Sequence, residues 1–383
     1  MTAMNKKDPV LVVLQLTGGN DYFNTVVPYT DSNYYDARKS LHIPEDKVLK
    51  VDDEMGFHPA MAPMKDLFDN GKMAVVHGIG FENSPRSHFR SMDIWHTCEP
   101  DKIGTEGWLG RAIRDMDPNS DNPVTGVNIG HALPRALVAP GVSVASVSDL
   151  STYGLLTGIE QEEQRLKMLE RFANMYGPAM GTGPVMEYLG QTGIDALKGA
   201  DILKSATLQY SSCVEYGVDN IGKSLRDVAS IHTSNLGTRV FYTQHGSFDT
   251  HAAQSGTHAR LWSEVSKAIT DFWDDLREHD ADDNVTMLLF SEFGRRVTDN
   301  GSGTDHGAAG VSFVIGPNVN GGMYSVYPDT RKESLQQGDL VPNTDFRGTY
   351  SSILDDWFGL DPVPIVNGQF EQFDFINKNN AGF

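Results

Sequence analysis

Imidazoles and carboxylates gather after one apolar run in the stretch "RVFYTQHGSFDTHAAQSGTH", where His245, Asp249, His251 and His258 fall within fourteen residues. Such groups are ligands for Zn²⁺, Mn²⁺ or Fe. A single histidine is usually ordinary surface chemistry, but four groups following one apolar run point to a metal. Further along, "SEFGRR" carries Glu292, Arg295 and Arg296, and "GTDHGAAG" sets Asp305 and His306 between glycines. Near the start, "LTGGNDYFNTVVP" places Asn20 and Asp21 after a pair of glycines. By itself this is an ordinary turn, since Gly, Asn and Asp all favour turns. The stretch "HGIGFENSPRSHFRSMDIWH" is rich in Ser, His and Arg, and Ser87-His88 is its most concentrated feature. No Gly-x-Ser-x-Gly elbow accompanies it, which argues against an esterase of the Ser-His-Asp kind.

Taken together, these groups form the kind of set that metal-assisted ester chemistry uses. Two metals about 3.5–4 Å apart would clamp the oxygens of an in-line displacement at phosphorus or sulfur. One would bind the oxygen of the attacking serine and activate it, and the other would polarise the ester. Arginine would hold the remaining oxygens of the anion.

Elements must bring these loops together. Val10 to Leu16, Met73 to Val76, Val124 to Ile129, Arg239 to Thr243, Val285 to Phe290 and Val311 to Gly316 read as buried strands: short apolar runs bounded by turn residues. Between them, "PAMAPMKDLFDNG" opens with proline and closes with glycine, as helices do. From His258 to His279, Leu261, Val265, Ile269, Phe272 and Leu276 recur at helical spacing. Alternating strands and helices predict an α/β fold, with a largely parallel sheet covered by helices on both faces. In such sheets ligands bind beyond the carboxyl ends of the strands, which is where the chemical groups fall. The segment 151–233 is rich in charged helical pattern, such as "EQEEQRLKMLERF", and reads as a helical insertion or cap within a single domain spanning 1–383. The final "DFINKNNAGF" reads as a polar surface tail.

The 383-residue chain has a formal net charge of -20, a field that repels nucleic acid and anionic membranes. A small anionic substrate stays compatible, because a metal reverses the local sign. Cys98 and Cys213 are too few for a disulfide framework and read as inert thiols. No run approaches the roughly 20 apolar residues of a membrane helix. The start "MTAMNKKDPVLVVLQL" has no small-residue cleavage site, so the expectation is a soluble, cytoplasmic protein as the chain stands, and a periplasmic or exported one if a signal was removed.

In that order, "LVVLQLTGGNDYFNTVVP", "RSHF", "FDTHAAQ", "SEFGR" and "GTDHGAAG" resemble a bacterial family known as domain of unknown function 1501. That family is assigned to the alkaline-phosphatase-like superfamily, with its sulfatases, phosphodiesterases and phosphoglycerate mutases. The resemblance spans about residues 8 to 360. It implies an alkaline-phosphatase-like α/β/α sandwich and one or two divalent metals (Zn, Mn, Mg or Ca). Asp21, Asp249, His251, Glu292 and His306 would be metal ligands, with Asn20, His258 and Asp305 as additional candidates. Ser87 would be the nucleophile, assisted by His88 and Arg295. The superfamily's Asp-His pair reads Glu292-Phe293 here, and Asp249-x-His251 is shorter than the usual Asp-x-x-x-His, a gap that His258 or His245 would fill. The residue two before Pro85 is Asn83, so the sulfatase signature that matures to formylglycine is not met. Members of the family are often exported by twin-arginine signals, which this chain's start does not show.

The expected activity is metal-dependent hydrolysis of a phosphate or sulfate ester. The alternatives are a binding or scaffold protein on a degenerate phosphatase fold, or a phosphotransferase or mutase with the insertion as a lid.

Overall fold

Every residue of Val10–Leu16 is buried, and alternate side chains enter opposite layers. Val10, Val12, Leu14 and Leu16 join one hydrophobic cluster, whereas Leu11 and Val13 join a second. A strand apolar on both faces is one covered from both sides, as the sequence predicts. In this computed structural model the described residues are 7–150 and 210–377, with scattered positions between 163 and 206.

The strands, in chain order, are β1 (Val10–Leu16), β2 (Val26–Val27), β3 (Leu49–Lys50), β4 (Gly56–Phe57), β5 (Met73–Gly80), β6 (Gly126–Ile129), β7 (Val144–Val147), β8 (Val240–His245), β9 (Val285–Phe290), β10 (Gly310–Ile315), β11 (Gly322–Tyr324) and β12 (Thr344–Asp345). The main sheet runs β11-β5-β10-β9-β1-β8-β6-β7, with β12 beside β5; β2, β4 and β3 form a small separate sheet. β1 pairs in parallel with both β8 and β9, and β6 is parallel to β8 and to β7. Within the main sheet, among the described residues, only β10 runs against its neighbours, β5 and β9. The predicted α/β class with a largely parallel sheet is therefore borne out.

This topology decides where the loops meet. β1, β8 and β9 all end at one edge of the sheet, so the segments after Leu16, His245 and Phe290 emerge side by side. Because β10 is reversed, it begins at that same edge, and the loop before Gly310 arrives there too. After β1 the chain moves to β5 on one side and after β5 to β6 on the other, so β1 marks a switch point of the kind where α/β proteins build their sites.

The helix Gln254–Glu278 starts four residues before the predicted His258. It covers the first layer with Leu261, Trp262, Val265, Ile269, Phe272 and Leu276, all buried. Each such side chain stabilises by about 2 kcal/mol relative to exposure. Helices His88–Thr97, Trp108–Met116 and Phe346–Asp356 cover the other layer through Trp95, Trp108 and Tyr350. Trp108 stacks on Tyr350 at 4.1 Å between ring centroids.

Of the expected helical insertion, 151–209 falls largely outside the described residues, while its end is the helix Asn220–Thr233. The C-terminal stretch differs from expectation. Phe375 and Ile376 are buried, and Ile376 pairs with Val319. Two apolar residues in a polar stretch are enough to bind it to the core; the last six residues lie outside the described set. Among the described residues, no helix is long and apolar enough to cross a membrane.

Candidate functional site

At the sheet edge defined above, three histidines surround one carboxylate. His306 Nε2 lies 2.9 Å from Asp249 Oδ1, His251 Nε2 lies 3.0 Å from the same oxygen, and His88 Nε2 lies 3.5 Å from Asp249 Oδ2. The two nitrogens His251 Nε2 and His306 Nε2 are 3.1 Å apart. Ligand atoms of His88, Asp249 and His306 all fall within 4.8 Å of one another.

The far side of each ring is tied down. His88 Nδ1 is 2.9 Å from Glu292 Oε1, His251 Nδ1 is 3.0 Å from Asp305 Oδ1, and His306 Nδ1 is 2.8 Å from the carbonyl of Arg86. A carboxylate or a carbonyl oxygen only accepts, so each Nδ1 carries the hydrogen and donates it outward. A neutral ring then turns its Nε2 lone pair towards Asp249. Lone pairs crowded on a carboxylate repel, and a positive charge must sit among them: protons on the rings or a metal ion. The arrangement of imidazoles fixed by outer oxygens, with the free nitrogens converging, is the one metal-ligating histidines show. Three imidazoles and a carboxylate fit Zn²⁺, Mn²⁺ or Fe by donor type.

Several elements place these groups. Asp249 and His251 follow β8 at once. His306 sits just before β10, held by a bridge between Arg295 and His306. His88 opens the helix His88–Thr97, so its ring is set by a rigid element. Phe293, next to Glu292, forms a buried floor: its ring centroid is 4.9 Å from that of His88 and 4.8 Å from that of His306.

Electrostatics follow from these contacts. The hydrogen bond to buried Glu292, with the added attraction of Asp249, holds His88 above the usual imidazole range despite partial burial. Partial burial would raise the Asp249 carboxyl, but the hydrogen bond and charge of Arg295 lead the opposing effects, which bring it down to about 2.

Other predicted site residues lie behind or below the cluster. Glu292 is buried and faces inward: its Oε1 accepts from the Gly18 amide at 2.8 Å as well as from His88. It orients His88 rather than offering a free oxygen. Arg295 is buried too. It donates to Asp249 Oδ1 at 2.9 Å and to the Gly18 carbonyl at 3.2 Å through one nitrogen, and to the carbonyl and hydroxyl of Thr304 through the others. Its guanidinium therefore positions Asp249 and is not turned to an open space.

Asp21 is not brought to the cluster. Its carboxylate makes a two-pronged ion pair with Arg38, and both side chains have no exposed surface. Gln254 Nε2 also donates to it. Burial alone would raise the Asp21 carboxyl, but the guanidinium beside it keeps it low. Asn20 and His258 join a second buried network in which Asn20 Oδ1 is 3.2 Å from both His258 Nε2 and Trp262 Nε1. His245 pairs with Glu264 at 3.1 Å instead. Nothing local marked Arg38 as a partner of Asp21; the two lie seventeen positions apart, with two short helices and β2 between them.

Ser87 caps the same helix that begins with His88 and is exposed. Its hydroxyl makes no capping bond to that helix. It is flanked by two residues engaged at the cluster, Arg86 through its carbonyl and His88 through its ring.

No curated protein matches the sequence. Among solved structures, the PsFucS1 sulfatase from Pseudoalteromonas sp. is similar at 10% identity with a TM-score of 0.41, over 98% of this chain and 72% of that one. The C-terminal periplasmic domain of EcEptC from Escherichia coli, in complex with Zn, is similar at 8% identity with a TM-score of 0.37, over 81% of this chain and 73% of that one. The lipoteichoic acid synthase LtaP from Listeria monocytogenes is similar at 8% identity with a TM-score of 0.37, over 88% and 74%. Residues 215–353, which carry Asp249, His251, Glu292, Arg295 and His306, match the family described as "Protein of unknown function (DUF1501)", and this is the family that the motifs of the sequence resemble.

Proposed function

We propose that this protein is a metal-dependent hydrolase of small anionic esters, phosphoric or sulfuric, with a metal held by His88, Asp249, His251 and His306. The observation that carries the reading is the inward convergence of three Nε2 atoms on Asp249 while each Nδ1 is tied to an outer oxygen. That donor set favours Zn²⁺, Mn²⁺ or Fe over Mg²⁺ and Ca²⁺, which prefer oxygen shells. One metal accounts for the cluster. The carboxylates that a second would need are engaged elsewhere, Asp21 by Arg38 and Glu292 by Gly18 and His88.

A metal bound there would polarise an ester oxygen and lower the pKa of an attacking hydroxyl. The chain's own residues do the rest. Ser87 is the nucleophile, at the head of a helix whose first amide groups and dipole favour an anion beside it. Glu292 fixes the ring of His88, Asp305 that of His251, and Arg295 the carboxylate of Asp249. Phe293 keeps two of the rings on an apolar floor. This division of labour gives rigid ligands, next in the chain to an exposed serine.

The test combines metal analysis with a panel of phosphate and sulfate esters. Metal-dependent turnover of at least one ester, lost by about a thousand-fold or more in Ser87→Ala with an unchanged circular dichroism spectrum, is the expected result. Full activity in that variant removes Ser87 from the reaction. A protein that neither holds nor takes up a transition metal is a binding protein on this fold. Appearance of a phosphorylated or sulfated alcohol in place of the free anion makes it a transferase.

A further inference from the structure

An open cleft of about 810 Å³ adjoins the cluster; His88, Asp249 and Glu292 belong to its lining, and so do Phe89, Met92 and Ile103, with Thr17, Gly18, His96, Arg90, Arg135 and Asp93 completing it. That volume is within the ordinary range of small-molecule sites. The two arginines make the cleft look basic in sequence, but their charges are engaged. Arg90 donates to Asp93 and to the carbonyls of Lys102, Glu99 and Pro100. Arg135 donates to Asp93 at 2.8 Å and to the Gly104 carbonyl at 2.8 Å. Both guanidiniums are paired with Asp93, although Arg135 bonds through Nη1 alone among the described residues and its side chain is 47% exposed; the aliphatic stems add apolar surface to the wall. Phe89 is 91% exposed and Ile103 is 74% exposed. Single exposed apolar residues are common, but two large ones on the wall of one cleft are a small apolar patch beside the candidate site.

We infer that this cleft receives the leaving group of the ester, and that the leaving group is an aryl or alkyl moiety rather than a sugar or other polyol. The inference rests on the hydrolase reading above. The anionic end of such a substrate lies at the metal cluster and the head of the helix His88–Thr97, and its apolar end lies between Phe89 and Ile103. A polyol placed there would find few hydrogen-bonding groups not already engaged, and each hydroxyl left without a partner weakens binding. An aromatic ring would cover Phe89 and lose only water. Phe89 stands on the first turn of a helix, so the wall it forms is fixed relative to Ser87 and His88.

Two measurements test this, one of turnover and one of binding alone. Metal-loaded protein is assayed with 1-naphthyl phosphate and sulfate against glycerol phosphate and glucose sulfate. Binding of 1-naphthylphosphonate and 1-naphthalenesulfonate, which are not hydrolysed, is compared by calorimetry with that of methylphosphonate and methanesulfonate. The naphthyl member of at least one series is expected to be preferred about ten-fold or more in kcat/KM and in affinity. Phe89→Ala and Ile103→Ala, both on exposed side chains, are each expected to reduce that preference by about five-fold or more. Equal affinity across both pairs, no naphthyl binding, or a preference that survives both substitutions overturns the inference. Naphthyl-selective binding without turnover of any ester would sustain the cleft and sink the hydrolase reading. Turnover without naphthyl preference would do the reverse.

Discussion

Gly18 and Asp249 touch through their backbones. A Cβ on Gly18 would stand 2.3 Å from the Asp249 amide nitrogen and 2.8 Å from the Phe248 carbonyl carbon, and Gly18 itself has φ of +120°. Side chains rarely adopt that angle, and a backbone neighbour cannot swing aside as a side chain would. The first glycine of "TGGND" therefore lets the β1 turn lie directly against the loop that carries Asp249. Gly18→Ala is expected to lower stability by roughly 1–3 kcal/mol and to weaken metal binding by moving Asp249. Thermal melting with and without zinc measures both; an unaltered zinc response would separate the turn from the site.

Glu292 offers a second check, because it acts through His88. Its Oε1 bridges the Gly18 amide and the ring. Glu292→Gln keeps the shape but gives up the charge that favours an N–H on Nδ1. Metal affinity should fall about 10- to 100-fold, the usual effect of removing a carboxylate that orients a ligating histidine. Competition against a chromogenic chelator reads this directly. An undiminished affinity would mean that His88 is not a ligand.

Metal binding should also be visible as stability. A ligand at 100 times its dissociation constant stabilises by about 2.7 kcal/mol, so zinc or manganese should raise the melting temperature by a few degrees and a chelator should reverse it. Asp249→Asn, which removes the negative charge at the centre of the cluster, should remove most of that rise. If the variant and the parent respond alike, the metal binds elsewhere.

Asp21 and Arg38 make a different prediction. The pair is fully buried, so removing one member strands a charge. Arg38→Met should cost about 3–5 kcal/mol in urea unfolding. Replacing both, as Asp21→Leu with Arg38→Met, should recover much of the loss while metal binding persists. Abolished metal binding in a folded double variant would return Asp21 to the ligand set.

Buried histidines away from the cluster shape the acid side of the stability profile; His258 is brought down to about 3 by burial above all, and His232 and His245 are lowered as well. His58, His77 and His96 are each brought down to about 4, with burial as the largest cause. Their ordinary value is about 6.5. The unfolded chain therefore takes up protons that the folded chain refuses once pH drops below 6.5. The stability these groups provide is complete above that value and is lost as pH falls towards 4, by up to roughly 3 kcal/mol for each histidine. Urea midpoints at pH 7.5, 6 and 5 should fall in that order, and His77→Phe should flatten the decline.

The strands that hold the site were legible because their signal is local. A run such as Val10–Leu16 or Val285–Phe290 is apolar without interruption, and both strands have the predicted bounds. The helix Gln254–Glu278 was legible from its periodicity, which a buried stripe imposes on sequence. Strands β7 and β11 went unread; β7 alternates half-buried with buried residues and β11 is half-buried throughout. Their pairing comes from neighbours in the sheet rather than from their own pattern.

Within the site, the sequence by itself determined which residue types lie just beyond the strands: Asp, His, Ser and Glu in loops that a parallel sheet must bring to one edge. Tertiary structure alone decided what each does. Asp21 and Asp249 look alike in sequence, a carboxylate in a polar loop after an apolar run. One meets Arg38 in a dry interior, where a lone carboxylate would be too costly to keep, and is neutralised there. The other meets three imidazoles at an open edge. A carboxylate's role depends on which positive charge satisfies it, and that partner is chosen by the fold, across distances in the chain that no local motif spans.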